Sequence, residues 1–245
     1  MLFLQRYFFL RIFAVLLQWA NFAHLNLVMK AEKNILLWDW NGTLLNDAEI
    51  CLQGINILLQ KRQLPVLSMT RYRDIFTFPV RDYYQAAGFD FEREAFEIPA
   101  EEFIEHYKRL LPKALLFADA KETLKHFQQN GFRQYIVSAM EQKALEKSVA
   151  DRGIAGFFER ISGIENNLAF SKAHRAKELI ESEAIEPENC FMIGDTLHDG
   201  EVARELGVDI IFISHGHQNA KRLSQNGSLL FPDLTTLVEF INDDL

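Results

Sequence analysis

The chain has 245 residues, of which 49% are apolar and 24% charged, and its formal net charge is −8. That composition is ordinary for a soluble globular protein, and the length suits one core, with or without a smaller inserted domain. The negative balance argues against a nucleic-acid partner, whose phosphates are neutralised by Lys and Arg. It leaves room for a small anionic substrate, because a metal ion and a few local cations overrule the global charge. The two cysteines, Cys51 and Cys190, form no CxxC pair and no Cys/His cluster of the zinc type. They read as reduced thiols of a cytoplasmic protein.

Residues 1–28 are far more apolar than the rest. Three readings compete. A membrane anchor needs about 20 mostly apolar residues, and here Arg11, Gln18, Asn21, His24 and Asn26 dilute the run. A secretory signal needs small residues at its cleavage site, and 19–23 supply no good pair. The favoured reading starts translation at Met29, so that a short polar lead precedes the first strand of a cytoplasmic protein.

From there the elements follow in order. Residues 34–38 form a short apolar run that reads as a buried strand and ends at Asp39. Between 46 and 113 the pattern is helical and holds no convincing strand. Its clearest helices are 48–61 and 100–111, and Pro65, Pro79 and Pro99 punctuate it. Helices then alternate with strands: helix 120–129, strand 134–137, helices 141–152 and 172–183, strand 190–193, helix 198–206, strand 209–213 and helix 234–241. Gly131, Gly153 and Gly207 follow helices, where a left-handed residue is expected. The alternation predicts an α/β fold, a parallel sheet wrapped by helices on both faces, with 46–113 inserted after the first strand.

In such a sheet ligands bind at the carboxyl ends of the strands. The first strand delivers Asp39-Trp40-Asn41-Gly42-Thr43. A carboxylate there can attack phosphorus, and the turn's backbone N–H groups can cradle an anion; an Asp-capped turn would look the same. The strand at 134–137 ends at Ser138, whose hydroxyl can bond a phosphoryl oxygen or merely cap a helix. Lys172 opens a helix, a poor place for a cation against the helix dipole unless an anion is there to neutralise. The strand at 190–193 runs into Gly194-Asp195-Thr196-Leu197-His198-Asp199. Two carboxylates four apart suit a hard cation such as Mg²⁺, or a helix cap.

Taken in order, carboxylate, hydroxyl, lysine and carboxylate pair, the stretches LLWDWNGTLL, YIVSA, FSKAHRAKELI and CFMIGDTLHDGEVARELG resemble those of the haloacid-dehalogenase-like (HAD-like) hydrolases. The resemblance runs from about residue 34 to the C-terminus. It is nearest to the phosphoglycolate-phosphatase-like branch, which has a Rossmann-like core (29–45 and 114–245) and a helical cap (46–113). It implies a Mg²⁺-dependent phosphatase acting on a small phosphorylated metabolite, with Asp39 as the covalent nucleophile. It further implies that Asp39, the carbonyl of Asn41, Asp195 and Asp199 hold the metal. Ser138, Lys172 and the N–H groups near Trp40 and Asn41 would hold the phosphoryl oxygens. Arg81, with Arg71 and Arg73, is the cap's candidate for a second anionic group of the substrate.

The chain departs from the family where the second aspartate, the general acid–base of its phosphatases, is replaced by Asn41. An amide exchanges no proton at neutral pH. Three consequences are open: a good leaving group such as an acyl or aryl phosphate, another proton donor such as His198 or His215, or a catalytically weak phosphate-binding or regulatory protein. His217, two residues after His215, also follows the strand at 209–213.

Overall fold

The computed structural model describes residues 33–165 and 172–242. The readings of 1–28, the start at Met29 and the Phe170-Ser171 part of the lysine motif lie outside the described residues. Among the described residues no helix is long and apolar enough to cross a membrane.

Among the described residues eight strands form: β1 (Ile35–Trp38), β2 (Leu45–Asn46), β3 (Leu115–Leu116), β4 (Arg133–Glu141), β5 (Arg160–Ile164), β6 (Cys190–Gly194), β7 (Asp209–Ile213) and β8 (Leu229–Phe231). Six of them make one parallel sheet in the order β5-β4-β1-β6-β7-β8. All four residues of β1 are buried because both faces of the sheet are covered. Leu36 and Trp38 point to one core, shared with helices Ala120–Gln129, Gln142–Asp151 and Leu234–Asn242. Ile35 and Leu37 point to the other, shared with helices Lys172–Ser182 and Leu197–Leu206. This two-sided burial is why the central strands read as unbroken apolar runs rather than as alternating ones. After β5 the chain crosses from one side of β1 to the other to form β6. That reversal opens a crevice at the carboxyl ends of β1 and β6.

Helices Ala48–Lys61, Met69–Ile75, Val80–Ala87 and Glu97–Leu110 stand apart from the sheet. They bury their own cluster, including Ile55, Leu58, Tyr72, Tyr83 and Phe89. A two-stranded antiparallel pair, β2 with β3, joins the points where the chain leaves and returns to the sheet layer.

The structure corrects several boundaries. The edge strands β5 and β8 are absent from the sequence reading. β5 is the segment RISGI, with a charge and a glycine among its five residues, and β8 has only three residues, so neither gives a sustained apolar run. β4 continues past Ser138 to Glu141, with its register against β5 interrupted after Val137. The helix expected at 100–111 begins at Glu97, with Pro99 in its first turn, where a missing N–H costs no helical bond. The helix expected at 141–152 is Gln142–Asp151, with Glu141 outside it as its cap, accepting from the N–H groups of Lys143 and Ala144 at 3.0 Å each.

Candidate active site

The site grows from the end of β1. The Asp39 N–H donates to the Ile193 carbonyl at 2.9 Å, which ties the carboxylate-bearing residue to β6 as the chain leaves the sheet. The loop then closes tightly, with the N–H groups of Leu44 and Leu45 both donating to the Trp40 carbonyl at 3.1 and 2.9 Å. Gly42 sits in the left-handed region with φ of 74°, and a Cβ there would lie 2.3 Å from Asp195 Oδ2. Only glycine allows both the turn and the approach of that carboxylate.

Asp39, Asp195 and Asp199 each offer a carboxylate oxygen, all within 4.8 Å of one another, and all three are buried. Lys172, also buried, ion-pairs with both Asp39 and Asp199 at the start of its helix, with 2.5 Å to Asp199 Oδ1. Thr196 donates to Asp199 Oδ2 through its N–H at 2.9 Å and its hydroxyl at 2.8 Å. Asp195 accepts from the Thr43 hydroxyl at 3.0 Å and from the His217 N–H at 2.6 Å.

Three carboxyls and one ammonium leave the cluster short of positive charge, and the protonation equilibria show it. Burial raises the Asp39 carboxyl well above its ordinary range; Asp199 and Asp195 add to the rise, and Lys172 opposes it. Burial and the charge of Asp199 also raise Asp195, against the pull of His217. Burial acts upward on Asp199 too, but the Lys172 charge and the Thr196 bonds overcome it and hold that carboxyl low. Burial pulls the Lys172 ammonium down; Asp199 and Asp39 outweigh it and hold the group above its ordinary range.

Beside this cluster lies a second polar network, built around Asn41. Its amide donates to Asp47 Oδ2 at 2.8 Å and to the Tyr107 hydroxyl at 2.7 Å. The Tyr107 hydroxyl in turn donates to Asp47 Oδ2 at 2.8 Å. Asp47 also accepts from the Gly42 N–H at 3.0 Å and faces His217 Nε2 at 3.3 Å. The other ring nitrogen of His217 meets the Tyr72 hydroxyl at 2.7 Å. Burial opposes charge on both partners, yet their attraction wins: Asp47 is held low, and His217 is pushed up to about 9. The network joins the first loop of the core to two of the separate helices, through Tyr72 and Tyr107.

Both networks open onto one cavity of about 310 Å³, lined at its base by Asp39, Asn41, Ser138, Lys172, Thr196 and Asp199. Asp39, Asn41, Ser138, Lys172 and Asp199 therefore converge as the strand ends require, and Asp195 packs behind them. Ser138 lies in β4, and its Oγ accepts from the Met140 N–H at 3.1 Å. The Trp40 side chain turns into the core, leaving only its backbone near the anion loop. Arg81 is a correction: its guanidinium lies over the rings of Phe91 and Phe96, 4.8 and 5.9 Å from their centroids, and does not line the cavity. Nor does Arg71 or Arg73, and Arg73 instead donates to the His215 carbonyl at 2.7 Å. His215 stacks on Phe117 at 3.5 Å and bonds the Thr43 carbonyl, away from the cavity. His198 reaches the lining but stacks on Phe78 and pairs with Glu201. The histidine that joins the buried network is His217. The sequence reading missed Thr43, Asp47, Tyr72 and Tyr107. Asp47 had a signal, as a lone carboxylate ahead of the first helix; the tyrosines had none, since their roles depend on how the helices pack.

The family model of the haloacid dehalogenase-like hydrolases matches residues 36–213. A phosphoglycolate phosphatase of Colwellia psychrerythraea is 23% identical over 206 residues, covering 80% of this chain and 91% of its own length. A 5'-nucleotidase of Pseudomonas aeruginosa is 24% identical over 188 residues, covering 74% of this chain and 82% of its own. Among solved structures, a haloacid dehalogenase-like hydrolase of Streptococcus pneumoniae shares the fold with a TM-score of 0.73 at 19% identity, over 85% of this chain and 98% of its own. The family match spans most of the chain, from the strand that carries Asp39 to the strand beside the Asp195 loop, and on that match this chain belongs to the haloacid dehalogenase-like hydrolases.

Proposed function

We propose that the chain is a Mg²⁺-dependent phosphatase that cleaves a small organic phosphate through a transient aspartyl-phosphate on Asp39. One observation carries the reading: a buried lysine bridges Asp39 and Asp199 beside a third buried carboxylate, at the base of a cavity large enough for a small ester.

The residues fit a hard divalent cation. Their donors are all oxygens, and three buried carboxylates face a single ammonium, so the set lacks positive charge that a divalent ion supplies. Asp39, the carbonyl of Asn41, Asp195 and Asp199 would hold it. When bound, the ion neutralises charge on the phosphoryl oxygens and keeps Asp39 ionised. The chain's own residues do the rest. Lys172, Ser138 and the N–H groups of Trp40 and Asn41 hold the phosphoryl group for in-line attack by Asp39. His217 and Asp47 fix the loop that carries Asn41. The helices between 48 and 110 act as the cap that covers the cavity, and the substrate of this reading is a small phosphorylated metabolite, handled by a cytoplasmic enzyme.

The test is phosphate release from a panel of phosphorylated metabolites, with 2-phosphoglycolate and nucleoside monophosphates included because of the relatives' names. Release is expected to require Mg²⁺ and to fall below about 10⁻³ of the wild-type rate in Asp39→Asn. Turnover that survives that substitution refutes the aspartyl-phosphate.

Asn41 supports a second reading, a phosphate-binding or regulatory protein with weak turnover, because its amide moves no proton and is already committed to Asp47 and Tyr107. That reading expects Mg²⁺-dependent binding of phosphate mimics with no more than stoichiometric release.

A further inference from the structure

We infer that the leaving group is an aromatic alcohol, so that the preferred substrate is an aryl phosphate monoester rather than a carboxylate-bearing alkyl phosphate. The inference rests on the phosphatase reading above and names the substrate class of that same site.

Two independent observations point the same way. The first is the cavity wall. Beyond the polar base its apolar side chains include those of Phe76, Phe78, Phe103, Ile104, Leu111 and Met140, and among them stand the polar Lys108, Glu141 and His198. A site for a substrate carboxylate would present a guanidinium or a set of free donors. None of the arginines on the separate helices does so. Arg62 is clasped by Glu94 and Glu102, Arg73 by the His215 carbonyl, and Arg81 by two phenyl rings. Glu141, on the wall, spends both oxygens on the cap of its helix. Lys108 also lines the cavity, but its side chain is exposed, so its ammonium stays hydrated and offers a point charge rather than the bidentate clasp a carboxylate takes. The volume of about 310 Å³ suffices for a phosphoryl group and an aromatic ring, given that a dry apolar cavity of ~150 Å³ holds benzene.

The second observation is Asn41. Attack by an Asp39 oxygen forms the Asp39 O–P bond and breaks the P–O bond of the ester, and the leaving oxygen departs with the bonding pair. An alkoxide of basicity near that of hydroxide, whose conjugate acid is far weaker than phenol, needs a proton as it leaves. A phenoxide, with a conjugate acid near ~10, leaves as the anion and is protonated later by solvent. Asn41 supplies no proton, and its amide hydrogens are held by Asp47 and Tyr107. The wall that fits an aromatic ring and the missing acid therefore select the same ester.

The same residue sets the second step. Water attacks phosphorus, the Asp39 O–P bond breaks, Asp39 regains its carboxylate, and both water protons end on dihydrogen phosphate. No base at position 41 assists, help worth about 10²–10⁴-fold elsewhere. The phosphoenzyme therefore accumulates.

The experiment uses the full chain with Mg²⁺ in rapid-mixing kinetics on phenyl phosphate and on 2-phosphoglycolate. Phenyl phosphate is expected to show a burst of one phenol per site, a phosphorylated Asp39 in intact-mass spectra, and a kcat/KM at least about tenfold above that of 2-phosphoglycolate. Phenylphosphonate is expected to bind about tenfold more tightly than phosphonoacetate by calorimetry, a readout independent of turnover. Ile104→Asp and Phe78→Ala are each expected to erase that difference while the melting curve stays cooperative. Parity or a preference for 2-phosphoglycolate overturns the aryl assignment and leaves the phosphatase reading standing. No turnover of either ester, with neither phosphonate bound, sinks the phosphatase reading and this inference together.

Discussion

At the scale of the single residue, position 41 decides most. An aspartate there would set a second carboxylate against Asp47, 2.8 Å from the present amide nitrogen. Two carboxylates so close do not both ionise, and one is driven to hold its proton near neutral pH. Asn41→Asp is therefore expected to create a protonated acid beside the leaving group. Steady-state turnover of alkyl phosphates should rise by part of the about 10²–10⁴-fold that general acid–base help supplies, and the burst on phenyl phosphate should disappear. An unchanged rate on a poor leaving group would show that proton supply does not limit the enzyme. The single-residue scale is also where the sequence was hardest to read. Asn41 stood out as a departure, but the bonds that hold its amide come from Asp47 and Tyr107, and Tyr107 lies 66 positions away.

At the scale of the element, ends matter more than middles. Asp233 caps the last helix, Leu234–Asn242: its Oδ1 accepts from the Thr236 N–H at 2.8 Å and the Thr236 hydroxyl at 2.7 Å. Those bonds hold the Asp233 carboxyl below its ordinary range. A depressed folded-state pKa contributes stability that is complete above the unfolded value of ~3.9 and is lost as pH falls through the folded value. Asp233→Ala is thus expected to lower stability by about 1 kcal/mol at pH 7 in urea melts. The gap to wild type should close as the acid limb is entered. A gap that persists in acid would mean the side chain acts through something other than its charge. Helices with a sustained apolar stripe were legible from the sequence, as 48–61 and 120–129 were. β5 and β8 were not, because an edge strand is specified by the neighbour it pairs with rather than by its own pattern.

At the scale of the whole molecule, the loops after β1 and β6 meet at three buried carboxylates that a lone lysine under-compensates. Buried charge left short of a partner costs stability, which a bound cation would restore. Mg²⁺ is expected to raise the melting temperature, by the equivalent of about 2.7 kcal/mol at a hundredfold excess over its Kd. Asp195→Asn should abolish most of that rise. A melting temperature indifferent to Mg²⁺ in the wild-type chain would remove the metal from the proposal. The separate helices are tied to this centre through Tyr72 and Tyr107, and to the loop after β7 by Gln218, which donates to the Phe76 carbonyl at 2.9 Å.

The sequence alone determined the parallel sheet and the order of its chemistry. Strand-length apolar runs, with a polar residue one or two positions beyond their ends, are local signals, and both-face burial writes them along the chain. Only the tertiary structure decided what each group faces. It set His217 rather than His198 or His215 into the buried network, turned Arg81 onto aromatic rings, and walled the cavity with apolar side chains. Those outcomes depend on packing between segments far apart in the chain, which no local pattern records.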